Sequence, residues 1–363
     1  MDTLTHALSG MLLARATADK QPVAGSSALS LRARLWAGFF AAAFPDSDVI
    51  ASFFGPLNYL EMHRGITHSI LMLPLWAMLL AVSFSLISKK KYHWKAFYFI
   101  SLSGIAIHIA GDVITSYGTM IFAPLNTARL SWPTTFIIDF YFSGIIIVSI
   151  LLFSLYKKKA KKIAIAGLVT LFCYVGFQAI LHMKAEGVAE TYVAQNNISD
   201  YNISVMPQPF SPFHWKIVIK TGEKYLISYI NLVGSKVISA GNEAGFFTRI
   251  NALYKPLHKN NWRVIDQFGE VDPELAKQAW MLDIMKPIRR FMLYPTVTST
   301  AEDTGKDCIW FKDHRFVLDG IRNSPFVFGA CKGKKAIWNL YRLDDGKRVL
   351  LSIALNRLIK QGK

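Results

Sequence analysis

The sequence predicts a membrane-embedded all-α bundle of about six helices, followed by an α+β domain outside the cytoplasm. Three observations carry this. Four apolar stretches in the first half, Ile70–Ser88, Ala96–Ile114, Phe136–Tyr156 and Ile163–His182, approach the roughly 20 residues that a helix needs to cross a bilayer. The chain of 363 residues is 52% hydrophobic yet carries a formal net charge of +17, which suits basic loops beside a bilayer better than a soluble enzyme. After His182 the long apolar runs give way to short alternating ones, the period of strands. Two domains follow, residues 1–183 and 184–363.

Taken in order, two shorter apolar segments, Leu4–Ala18 and Leu35–Phe44, precede the four long ones. Pro74 is tolerable because it falls in a first helical turn. The start, MDTLTHALSG, lacks the basic region of a signal peptide. Loop charge orients the segments. Arg15, Lys20, Arg32 and Arg34 lie between the two short segments, Lys89, Lys90, Lys91 and Lys95 between the first two long ones, and Lys157, Lys158, Lys159, Lys161 and Lys162 between the last two. The alternating loops, 45–69 and 115–135, hold only Arg64 and Arg129. Basic loops stay in the cytoplasm, so a multi-pass protein of the bacterial inner membrane is expected, with its second domain extracytoplasmic. Six acids then fall on the outer side: Asp2, Asp46, Asp48, Glu61, Asp112 and Asp139. Acids orient a chain weakly, so their clustering needs another cause.

In the second domain, Trp215–Ile219 and Tyr225–Tyr229, split by Thr221-Gly222-Glu223, read as a hairpin, and Asp272–Ile284 as a helix opened by Pro273. Phe291–Val297, Ile309–Leu318 and Ala336–Leu343 read as further strands. Cys308 and Cys331 suit either a disulfide or two free thiols, and Cys173 a small core residue. His214, His258 and His314 are expected on the surface. This domain's positive charge suggests contact with anionic headgroups, with Trp215 and Trp262 as interfacial anchors. No nucleic-acid recognition motif accompanies the charge, so nucleic acid is not an expected partner.

The chemistry-bearing residues converge. His6 lies one turn into the first short helix, Asp46 and Asp48 just past the second, His63 and His68 just before the third, His108 and Asp112 near the end of the fourth, and Asp139 at the start of the fifth. The topology turns all of them to the outer side. Imidazoles and carboxylates together suit zinc, with manganese or iron as alternatives. His108 and Asp112 are spaced i, i+4 and share one helical face. Asp-X-Asp on a loop could bridge two ions. Arg64 could hold a phosphate oxygen, and Thr67 and Ser69 could orient ligands. His93 is excluded because it lies in a basic loop, and His182 is a peripheral candidate. Singly, each has a bland reading: Asp139 as a helix cap, Asp46 as an Asx turn, a lone His as a packed core residue. Ionisable groups at membrane depth are costly, which favours the joint reading.

Asp-Thr-Leu-Thr-His-Ala-Leu-Ser-Gly at 2–10, Phe-Pro-Asp-Ser-Asp at 44–48, His-Arg-Gly-Ile-Thr-His-Ser at 63–69 and His-Ile-Ala-Gly-Asp-Val-Ile-Thr-Ser-Tyr-Gly-Thr at 108–119 resemble the membrane-bound metal-dependent hydrolases of YdjM/YbcI type. The resemblance covers roughly residues 1–180. It implies a distant relation to the zinc phospholipase C and single-strand nuclease superfamily, whose members bind up to three zinc ions through His and Asp and cleave phosphoesters. This chain has one clear His-X-X-X-Asp where those relatives have two, so two ions are favoured over three.

The expected function is therefore metal-dependent hydrolysis of a phosphoester through a metal-activated water, with Arg64 assisting at the oxyanion and Asp48 or Asp139 as general base or ligand. The helix before Pro45 reaches only about 18 Å into a hydrocarbon core of roughly 30 Å, so the site is expected below the outer surface, where a lipid or lipid-linked phosphate reaches it sideways. Two alternatives come from other classes: a structural or stress-response membrane protein whose metal site only staples helices, and a metal or ion transporter. The transporter predicts polar residues continuing to the basic side, and Ile70–Ser88 offers only Ser83 and Ser85 before its last residue.

Overall fold

The computed structural model describes residues 1–18, 29–241, 243–270, 272–298, 308–318, 324–332, 337–344 and 346–353. Lys20 and Ala336, which enter the sequence-based expectations, lie outside the described residues.

The first half is helical: α1 (Thr3–Ala16), α2 (Leu31–Ala43), α3 (Pro56–Met62), α4 (Leu73–Ile87), α5 (Trp94–Val113), α6 (Phe140–Leu155) and α7 (Ala160–Gln195). A 3-10 run, Phe44–Phe54, follows α2 directly. By length and composition α5 and α7 can each cross a membrane, and the bent pair 56–68 and 73–87 adds a third span if counted as one. α6 is apolar but shorter. Caps explain several starts. Asp2 accepts from Thr5 N, Ser30 from Ala33 N, His93 from Lys95 N, and Asp139 from Tyr141 N and Phe142 N.

Two boundaries differ from expectation for physical reasons. α7 does not end at His182 but runs on to Gln195. Hydropathy stops near Met183, yet the Lys, Ala, Glu and Gln that follow are strong helix formers. The 45–69 connection is not a plain loop either, since Pro56 sits at the first position of α3, where its missing N–H costs nothing.

The chain divides into two compact units, residues 1–53, 62–183 and 206–212 in the first, and 54–61, 184–205 and 213–363 in the second. In the first unit α1, α2 and α5 meet through small residues. A Cβ on Gly10 would lie 2.3 Å from Gly38 O, and one on Gly104 would lie 2.8 Å from Ala41 Cβ. This close backbone approach is how helices associate where lipid removes the hydrophobic drive. It brings the N-terminus of α1 beside the C-terminal ends of α2 and α5, where the site lies. Leu12, Phe142, Ile146, Ala164 and Leu171 pack α1, α6 and α7 together.

The second unit is β-rich. One sheet pairs β1 (Tyr201–Pro207), β2 (His214–Thr221), β3 (Lys224–Asn231) and β4 (Lys255–Pro256), with β5 (Arg263–Asp266) also on β3. The other runs β10 (Lys347–Ile353), β9 (Trp338–Asp344), β8 (Val327–Lys332), β7 (Cys308–Asp313), β6 (Pro295–Thr298). Helices α8 (Phe246–Leu253), α9 (Pro273–Met281) and α10 (Lys286–Phe291) complete it. The hairpin turns at Gly222, whose φ of +55° favours glycine, and Asp272 caps α9. Phe291 ends α10 instead of opening a strand, because Pro287 starts a helix there. Cys308 and Cys331 face each other across β7 and β8 and are disulfide-bonded. Cys173 is exposed rather than a core residue.

Three expectations about this unit are corrected. Trp215 is fully buried, because both faces of β2 are covered, so it cannot anchor at a membrane surface. His214 is buried and stacked on Tyr254 with ring centroids 4.0 Å apart. His314 is buried with its Nε2 2.9 Å from Thr296 Oγ1.

Candidate metal centre

Four side chains converge at the end of the α1–α2–α5 packing. Asp46 comes from the 3-10 run after α2, His68 from the short 3-10 turn Ile66–His68, and His108 and Asp112 from successive turns of α5. One donor atom from each lies within 4.8 Å of all the others. His68 Nε2 and His108 Nε2 are 3.0 Å apart. Asp112 Oδ2 is 3.2 Å from the first and 3.5 Å from the second, and Asp46 Oδ1 is 3.7 and 3.5 Å from them.

The surroundings leave these four atoms as bare acceptors. His108 Nδ1–H donates to Ala42 O at 2.6 Å, which leaves its Nε2 with a lone pair. His68 Nδ1–H donates to Thr67 Oγ1 at 3.0 Å, and that hydroxyl donates on to Asp48 Oδ2 at 3.4 Å. The His68 Nε2 is thus bare as well. Asp46 Oδ2 accepts from Thr3 Oγ1 at 2.6 Å, and its Oδ1 is turned to the imidazoles. Asp112 Oδ1 accepts from the Met1 amine (2.5 Å), Arg64 Nη2 (2.9 Å) and His6 Nε2 (3.0 Å). Its Oδ2 is buried with no hydrogen-bond partner.

Four lone pairs facing one another without a proton between them repel, and in a buried site that cost is high. A divalent cation removes it. A tetrahedral ion bonded at about 2.0–2.2 Å holds its donors roughly 3.3–3.6 Å apart, close to the spacings here. Two imidazole nitrogens and two carboxylate oxygens suit zinc, manganese or iron. The donor set therefore fits a divalent metal.

The expected site residues separate into layers. Asp46, His68, His108 and Asp112 form the group itself. His6 lies directly behind it, donating to Asp112 and stacked on His108 with ring centroids 3.7 Å apart. A Cβ at residue 111 would sit 3.0 Å from His6 Cε1, so a larger residue there would press on this ring. Asp48 lies outside the group of four. It accepts from His63 Nδ1 (2.8 Å), Arg64 N (2.8 Å) and Thr67 Oγ1, and so orients His68 from behind. His63 belongs to this outer layer and touches the Tyr117 ring edge-on. Arg64 is buried against Asp112 and Thr115 Oγ1 (2.9 Å) rather than presented for a phosphate. Its φ of +57° is a strained value held by two backbone bonds, Arg64 N to Asp48 and Met120 N to Arg64 O.

Asp139 takes no part in the group. It caps α6 and accepts from Tyr174 Oη at 2.8 Å. Ser69 bonds the carbonyls of Ile121 and Ala123. One group of this kind is found among the described residues. Sequence reasoning missed Thr3 and the Ala42 carbonyl. Thr3 lies three residues before His6 on the same helical face, which was a usable signal. A backbone carbonyl leaves none.

These residues sit in the segment that a family model recognises. The model of the YdjM inner membrane protein matches residues 1–185. The chain belongs to the YdjM inner membrane protein family. It is a membrane protein of that family whose matched region contains the whole candidate centre. It is also 27% identical over 126 residues to the uncharacterized protein YfhP of Bacillus subtilis (strain 168), a match covering 35% of this chain and 38% of that protein. No solved structure matches the chain.

Proposed function

We propose that this YdjM-family chain is a membrane-bound metal-dependent hydrolase acting on the phosphoester of a lipid or lipid-linked substrate. The observation that carries the reading is the convergence of His68 Nε2, His108 Nε2, Asp46 Oδ1 and Asp112 Oδ2 as four unprotonated donors. A divalent ion held there supplies Lewis-acid chemistry, polarising a phosphoryl oxygen and acidifying a water.

The chain's own residues supply the rest. Ala42 O and the Thr67–Asp48 relay fix the two imidazole orientations. Arg64, His6 and the Met1 amine offset the charge of Asp112, so that a buried carboxylate stays ionised beside the ligands. His63, oriented through Nδ1 by Asp48, is the group suited to take the proton of the attacking water. This replaces Asp48 and Asp139 in that role, since both have their oxygens engaged in holding backbone and side-chain donors. Val49, Ile50 and Phe53, exposed on the run that carries Asp46 and Asp48, suit contact with acyl chains, which supports a lipid substrate arriving sideways.

Loop charge supports a cytoplasmic position for 89–95 and 157–162, with the site and the second unit on the outer side. The Cys308–Cys331 disulfide supports the same side, because such bonds persist in oxidising compartments.

A helix-stapling metal site is the second reading, favoured by the full burial of His68, His108 and Asp112. Elemental analysis of purified protein, paired with a screen of phosphoester lipids, tests both. Stoichiometric metal with metal-dependent phosphate release supports the hydrolase. Metal with no turnover in the whole screen favours the staple, and no metal removes both.

A further inference from the structure

The second unit carries an excursion that neither the metal centre nor the hydrolase reading uses. The chain leaves β3 at Asn231 and returns in β4, whose Pro256 pairs with that same Asn231. Leu232 N donates to Phe213 O beside it. The described residues between, a glycine-rich loop and α8, therefore emerge at one end of one sheet. On α8 only Ile250 turns inward to be buried. Phe247 is 63% exposed, Val233 in the loop is 61% exposed, and Phe246 and Val237 are exposed as well. The rings of Phe246 and Phe247 lie edge to face, with centroids 5.5 Å apart. Exposed Lys236, Arg249 and Lys259 are interspersed with them, against Glu243 as the one exposed acid described in 232–259.

Large apolar side chains at a loop tip and on a short amphipathic helix, rimmed by cations, are costly in water unless something covers them. A membrane surface covers both kinds at once, since apolar rings enter the headgroup–acyl boundary and Lys and Arg meet anionic headgroups. The chain is a membrane protein, so a bilayer is part of its surroundings. We propose that the 233–249 excursion is a membrane-surface anchor, with Phe246 and Phe247 inserted among the lipids and Lys236 and Arg249 on anionic headgroups. It takes the place of Trp215, which is inside the sheet.

The test uses the full chain in nanodiscs. In a Cys173→Ser background, the bonded Cys308 and Cys331 are silent to maleimide, so F247C carries a single environment-sensitive dye. E274C, on the exposed start of α9, is the reference position. With phosphatidylcholine and phosphatidylglycerol discs containing doxyl-lipid, the dye at 247 should be blue-shifted and quenched at least about twofold more than at 274. K236E combined with R249E should weaken that quenching, as should discs of phosphatidylcholine alone. Equal quenching at 247 and 274 overturns the anchor. Quenching unchanged by lipid charge overturns the anionic-headgroup contact. Efficient F247C–F247C crosslinking without lipid quenching would assign the face to a second copy of the chain instead.

Discussion

His68 Nε2 and His108 Nε2 face each other at 3.0 Å in a fully buried position, and each ring has its Nδ1–H committed to an oxygen. With both rings neutral, neither nitrogen donates to the other. With Asp112 Oδ2 at 3.2 Å from His68 Nε2, the pair is arranged as ligands are, not as a hydrogen bond.

His68→Ala, His108→Ala and Asp112→Ala should therefore each lower metal per folded molecule by at least about tenfold, since each removes a direct donor. His93→Ala should leave it unchanged, because His93 only caps α5. Asp139→Ala should also leave the metal in place while costing about 1 kcal/mol of stability through the lost cap on α6. Metal-to-protein ratios on the monodisperse fraction check all five variants. Loss of metal in Asp139→Ala would show that a second ligand set exists.

Asp48→Asn should act differently from the ligand variants. It keeps the shape but weakens the relay through Thr67 to His68. Metal should still bind at full stoichiometry, with affinity lower by about 10–100-fold. Competition with a chromogenic chelator measures this. An affinity equal to that of the unaltered protein would remove Asp48 from the site.

Gly38→Leu should prevent assembly of the centre without touching a ligand. Its Cβ would lie 2.6 Å from both Gly10 O and Ala14 Cβ, so α1 and α2 must part. That moves His6 and Thr3 on α1 away from Asp46. Loss of monodisperse protein, or of metal in what remains, is expected. A folded, fully metallated variant would show that the close packing is dispensable.

Alkaline phosphatase fused after Lys363 should be active in cells, and the same enzyme inserted within 157–162 inactive. The motive is the concentration of Lys and Arg in alternate loops. The reverse pattern would place the metal centre at the cytoplasmic face.

Acid should loosen the second unit. Burial pushes His214 down to about 4 and His314 down to about 2, from an ordinary value of 6.5. Above pH 6.5 both states hold these imidazoles neutral. As pH falls below 6.5 the unfolded chain takes up protons that the folded one does not, so stability falls. By pH 5 the loss is about 2 kcal/mol for each imidazole. Hydrogen exchange of β2 and β6 amides should speed up from pH 7 to 5, after correction for intrinsic rates. His214→Phe should blunt the effect on β2, and a pH-independent exchange free energy would contradict the buried neutral state.

The apolar lengths, the basic alternate loops and the four His/Asp motifs were legible because each is a local pattern. Hydropathy marks a helix by its own composition, and i, i+4 spacing puts His108 and Asp112 on one face wherever α5 packs. The hairpin at Gly222 and the cap at Asp272 were legible for the same reason. What the linear pattern could not supply was the sorting of eight equivalent candidates. Asp46 and Asp48 are two residues apart, yet one faces the imidazoles and the other stands behind His68. Asp139 looks like its fellow acids in sequence, but the Tyr174 hydroxyl and the α6 backbone claim it. Arg64 resembled a phosphate ligand until the fold buried it against Asp112. Only tertiary structure decided these roles, because a ligand is defined by which lone pairs remain unclaimed once every nearby donor has been placed, and those donors come from the start of the chain and from the turn at Arg64–Thr67, far in sequence from His108 and Asp112.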